Sequence, residues 1–138
     1  MNRCASPARP RALAAAVALT ASLVVALPSP VTAQVHRNFP QNALRGKVAF
    51  GQPPGARLNN QVTQLAPGAR IHGFDNMLVM SGTLIGQTFT VDYTTESNGM
   101  LFEIWILRPE EAAVQPWPQT AQQAAAWHFD PIAQTWSD

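Results

Sequence analysis

Thiol chemistry is almost absent from this 138-residue chain, whose one cysteine is Cys4, and charge is scarce, at 12% of residues. A lone cysteine cannot build a disulfide framework or a thiolate metal cluster. The sequence also lacks a phosphate-cradling glycine loop, a paired Cys/His spacing of the zinc type and a nucleophile elbow, so the common signatures of nucleotide, zinc and hydrolase chemistry are missing. Its length suits one domain, since single domains commonly take about 100–150 residues.

The one long apolar run lies near the start. Arg3, Arg9 and Arg11 precede sixteen uncharged residues, Ala12 to Leu27, which Pro28 and Pro30 then interrupt. Val31-Thr32-Ala33 offers small or modest side chains for a signal peptidase, so the pattern predicts a signal peptide over residues 1–33 with cleavage after Ala33. A membrane-spanning helix takes about 20 apolar residues and would not run into two prolines. The expected product is a periplasmic or secreted protein that is not an integral membrane protein once processed. Cys4 leaves with the signal, and the remaining six basic and eight acidic residues give a net charge of −2. No basic surface for nucleic acid is expected.

Residues 34–44 read as a polar arm that Phe39-Pro40 pins to the body. From Arg45 to Arg108, short apolar stretches alternate with Gly, Asn, Asp and Pro, the punctuation of a β domain. Val48 and Phe50 mark a first strand, ended by the Gly51–Gly55 segment. Asn59-Asn60 predicts a tight hairpin turn, because Asn tolerates positive φ. Ala66-Pro67-Gly68 predicts another turn, and residues 70–73 and 77–81 two more short strands. In Gln87 to Thr94, Phe89, Val91 and Tyr93 share one face, while Thr88, Thr90, Asp92 and Thr94 share a face expected to be wet. Met100 to Leu107 is apolar on both faces and should be a central strand paired with Gln87–Thr94. The predicted fold class is all-β: a small antiparallel barrel or sandwich of about six or seven short strands, with a short helical or irregular C-terminal tail over residues 109–138. In that tail, Pro109 and the acids after it suit a helix start, and Thr120 caps a second helix.

Several phrases resemble a family of small exported bacterial proteins of unknown function: Asn38-Phe39-Pro40, Ala43-Leu44-Arg45-Gly46, Leu65-Ala66-Pro67-Gly68-Ala69-Arg70-Ile71, Asn76-Met77-Leu78-Val79 and Ile104-Trp105-Ile106-Leu107. The resemblance runs from Arg37 to Ala112. It implies export and a β domain, and it carries over no catalytic or ligand residue. The tryptophan-bearing tail departs from that pattern.

Three candidate chemistries remain. Trp117, Trp127 and Trp136 could form an aromatic platform for sugar rings or a partner protein of the envelope, or instead pack over the open end of the β domain. A mature N-terminus of Gln34-Val35-His36 would place an amine and the His36 imidazole at the spacing of a copper or nickel site, provided Gln34 does not cyclise. His72 and His128 read as packed or surface residues. A small hydrolase would need two of Asp75, Asp92, Glu96 and Glu103 to converge. Asp92 is expected to be solvated, and Glu103, set in an apolar strand, to pair with Arg45, Arg57 or Arg70. The first expectation is a non-enzymatic accessory or interaction module of the cell envelope, without a cofactor. The metal-binding protein and the hydrolase are its alternatives.

Overall fold

The computed structural model describes residues 36–138, so the expected signal peptide, its cleavage site and Gln34 lie outside the described residues. The elements in chain order are β1 (Leu44–Phe50), β2 (Gly55–Leu58), β3 (Gln61–His72), a 3-10 turn (Ser81–Thr83), β4 (Thr88–Thr95), β5 (Leu101–Ile106), α1 (Pro109–Ala112), α2 (Ala121–Ala126), β6 (His128–Asp130) and β7 (Thr135–Ser137). Strands β1 to β5 close into a barrel in the order β1-β2-β3-β5-β4, and β6 and β7 form a separate two-stranded sheet.

The chain is therefore all-β, and a barrel rather than a sandwich. The barrel is mixed where a purely antiparallel one was expected: β3 and β5 run parallel and every other neighbouring pair is antiparallel. The reason is geometric, because directions cannot alternate all the way round a closed ring of five strands. The connectivity is that of a small Greek-key barrel of the OB type.

Local signals explain most of the elements. Asn59 and Asn60 both take positive φ, as the turn joining β2 to β3 requires. Val91 and Tyr93 point into the barrel with Val48, Phe50, Ile71, Ile104 and Ile106, and Phe89 packs against them from the rim. Leu84, from the β3–β4 connection, joins the same core. The predicted pairing of β4 with β5 is present, and β5 lies between β3 and β4.

Two strand expectations are corrected. Ala66-Pro67-Gly68 does not end a strand; β3 continues through it, and its ladder with β5 jumps from the Leu65–Leu101 pair to the Arg70–Glu103 pair. Strict alternation would put Phe102 on the face of Ile104, but Thr94 faces Glu103 and Thr95 faces Leu101, so Phe102 is the extra residue of a bulge. The bulge carries Leu101 to the inner face, where it is fully buried.

A second core lies on the outer wall of the barrel. Trp105 and Leu107 point outward from the end of β5 and are covered by Phe39, Ala43, Trp117 and Trp136. The arm and the tail thus pack against the same wall, and the tail wraps the side of the barrel rather than its open end. Phe39 meets both Trp105 and Trp117 edge to face, with ring centroids at 5.9 and 5.7 Å. Thr120 caps α2 as its sequence predicts, its hydroxyl accepting from the Gln123 N–H at 3.2 Å. In α1 the Glu111 carboxylate accepts from the Arg108 N–H at 2.9 Å.

Candidate functional site

The outer wall holds the charged groups that sequence patterning placed in water. Asp92 is 0% exposed. Its two oxygens accept from Arg45 Nε at 2.8 Å and Arg45 Nη2 at 3.1 Å. Arg45 Nη1 donates to the Val114 carbonyl at 2.6 Å, and the guanidinium lies 4.6 Å from the Trp117 ring centroid. The wet face expected for β4 is dry here because the tail covers it. Burial pushes the Asp92 carboxyl above its ordinary range, against the opposing pull of Arg45.

Arg37 makes a parallel clasp from the arm. Its Nε donates to Glu111 Oε1 at 2.8 Å, and Nη2 also engages Glu111 Oε2. The same guanidinium donates to the Gly73 carbonyl at 2.9 Å and the Ile106 carbonyl at 2.8 Å. Burial would raise the Glu111 carboxyl, but the bonds from Arg37 and from the Arg108 N–H, with both positive charges, hold it below the usual glutamate range. With every carboxylate oxygen of Asp92 and Glu111 already engaged, this network fastens arm, barrel and tail together and presents no free acid to a substrate.

The remaining candidates are dispersed. Among the described residues Glu103 makes no ion pair with an arginine, although Arg70 is its register partner on β3; it meets His72 Nε2 at 3.1 Å, and Arg45 is engaged by Asp92. The His72 ring stacks on Trp105 at 5.5 Å, with 10° between the planes. His128 and His36 are exposed. Among the described residues no group of three or more His, Cys, Asp or Glu side chains could hold a metal ion. Of the three tail tryptophans, Trp117 and Trp136 are each 4% exposed, with their rings packed into the second core, and Trp127 is half-buried at its edge.

The open apolar surface lies elsewhere, in the β3–β4 connection. Phe74, Met77, Leu78 and Met80 are 51, 67, 65 and 79% exposed within seven residues. This segment is held, not loose. The Gly73 N–H donates to the Met77 carbonyl and the Val79 N–H to the Ile71 carbonyl, both at 2.8 Å, and Leu78 bridges to His72. The expected strand over residues 77–81 is thus reduced to one bridge. Val79 packs against the barrel core while its neighbours Leu78 and Met80 face water. Asn76 supplies the positive φ of the turn, and Asp75 Oδ1 accepts from the Met77 N–H at 3.1 Å. No charged residue occurs in the sixteen positions between Asp75 and Asp92.

By contrast, the face formed by β2 and the first half of β3, residues 55–65, carries Arg57 as its charged residue and no aromatic side chain. That offers no stacking surface for nucleic-acid bases. Among the described residues no helix is long and apolar enough to cross a membrane. Comparison of the chain with protein-family models, with curated proteins and with solved structures returns no match.

Proposed function

We propose that this chain is an exported accessory module of the cell envelope, periplasmic or secreted after removal of its first 33 residues, that acts by contact with a partner protein and not by catalysis. Its contact surface is the Phe74–Met80 segment. The observation that carries this reading is four large apolar side chains held out into solvent by a hydrogen-bonded hairpin. Exposed apolar residues scattered singly need no explanation, but a contiguous set fixed on a rigid support is what protein contact surfaces look like. Methionine suits such a surface because its unbranched, polarisable side chain fits partners of varied shape.

Three further features support the reading. The sequence resemblance, which includes Asn76-Met77-Leu78-Val79, is to small exported proteins. Asp92 and Glu111 are each bound to an arginine, which takes those two carboxylates out of acid and base work. The rings of Trp117 and Trp136 are consumed by packing, which moves the expected contact surface from the tail to the β3–β4 connection.

The test is co-purification from envelope extract with the wild-type chain and with a Met77→Glu/Met80→Glu double variant. A partner should be lost with the variant and retained with Ile132→Glu, which alters a still more exposed apolar residue of the tail. Equal recovery with both variants would exclude the segment as the contact.

A further inference from the structure

The tail that completes the second core leaves two open clefts on its outside, and the two adjoin. The first, of about 600 Å³, is walled by Gln41 and Asn42 on one side and by Ala121, Ala124 and Ala125 of α2 on the other. The second, of about 620 Å³, runs between Asn38–Gln41 of the arm and Trp127, Phe129 and Gln134 of the tail. Gln41 lines both, and α2 leads directly into Trp127, so the two clefts meet at Gln41 between arm and tail.

From the chemistry of that groove we infer a binding site for a neutral oligosaccharide. No carboxylate, ammonium or guanidinium side chain lines either cleft. Of the lining side chains only the His128 imidazole can carry a charge, so an anionic ligand would find no fixed positive group there. What the groove does offer is aromatic faces beside amides. Trp127 stands at one end, half-buried, with Phe129 behind it packed on Trp136 at 4.8 Å, and a sugar ring can pack its C–H face on the open part of the indole. Asn38, Gln41 and Asn42 line the arm side, and their amides make no hydrogen bond within the described protein, leaving donors and acceptors for hydroxyl or acetamido groups. Each cleft falls in the range of about 300–1,000 Å³ that small-molecule sites occupy, and the pair in sequence suits a chain of sugar rings better than one compact ligand.

The banks are also pre-formed. Trp127 is fixed by its N–H bond to the Gln123 carbonyl at 2.9 Å and by contact with the second core. The arm is fixed by the Phe39 N–H, which donates to Gln134 Oε1 at 2.7 Å. Side chains already held in place lose little freedom when a ligand arrives, which favours binding by an otherwise weak polar surface. The groove and the Phe74–Met80 segment are built from different elements, so this inference does not rest on the protein-contact reading.

The experiment is calorimetric titration of the mature protein with chitotetraose and with cellotetraose, and with a sulfated chondroitin tetrasaccharide as the anionic comparison. Saturable binding of at least one neutral tetrasaccharide is expected, with little or none of the sulfated one. Trp127→Ala should weaken binding about tenfold by removing the ring face. Gln41→Ala, at an exposed position that cannot unfold the chain, should weaken it severalfold and decides the matter if Trp127→Ala does not fold. Ile132→Ala should bind as wild type. The inference fails if neither neutral sugar binds, if the sulfated sugar binds equally, or if binding survives Gln41→Ala together with a folded Trp127→Ala variant.

Discussion

Arg45 and Asp92 meet through two parallel hydrogen bonds, at 2.8 and 3.1 Å, on the outside of the barrel, yet Asp92 is fully buried and Arg45 only 6% exposed. The pair is dry because the tail lies over it: Trp117 faces the guanidinium and Val114 accepts one of its protons. A bidentate arginine is among the few groups that can compensate a carboxylate removed from water. The wall of the barrel and the covering tail are therefore one structural unit.

Breaking the pair from either side leaves an uncompensated buried charge. Arg45→Met and Asp92→Leu should each lower the unfolding free energy by about 3–5 kcal/mol in urea denaturation. The double variant should lose less than the two single losses combined, since it strands neither charge. Equal and additive losses would mean that the two side chains act independently.

Deleting residues 117–138 removes Trp117 and Trp136 from the second core and uncovers Asp92, Arg45 and Trp105. Truncation is expected to unfold or severely destabilise the barrel, because loss of even one large buried aromatic costs about 3–5 kcal/mol. Circular dichroism with thermal melting checks this. A truncated barrel that melts like the intact chain would show that the tail is an appendage.

Acid should loosen the arm first. The Glu111 carboxyl lies below the ordinary glutamate value of 4.5 in the folded chain, so its contribution is present above that pH and is lost as pH falls through the lowered folded value. Asp92, raised by burial, acts in the opposite sense: on that group alone, stability grows as pH falls through its folded value. Glu111→Gln should cost about 1.5–3 kcal/mol at neutral pH, the range for a charged hydrogen bond. The gap between wild type and variant should shrink below pH 4.5, as wild-type Glu111 becomes protonated. Denaturant titrations at a series of pH values measure that gap, and a gap independent of pH would contradict the assignment.

The barrel was legible where a side-chain period had one dry face. Phe89, Val91 and Tyr93 announce the inner face of β4, and Asn59-Asn60 announces the turn between β2 and β3, because both are local properties of the chain. The burial of Asp92 was not legible, since the side chains that dry it lie more than twenty residues further on. Nor was the extra residue at Phe102, because an unbroken apolar alternation contains no mark of a bulge. In the segment 77–80 the alternation was real, with Val79 inward and Leu78 and Met80 outward, but it implied a second layer that the described residues do not supply. The groove between Gln41 and Trp127 had no sequence signal beyond Trp127 itself, as it exists only by apposition of arm and tail.

The most direct test of the contact reading places a photoreactive amino acid at Met80 and, in separate chains, at Val62 and Ile132, three exposed apolar positions on different elements. Illumination in envelope preparations should give a discrete adduct from position 80 that Met77→Glu suppresses, and no such adduct from positions 62 or 132. The same adducts from all three positions, or none from position 80, would contradict the assignment of the Phe74–Met80 segment as a partner surface.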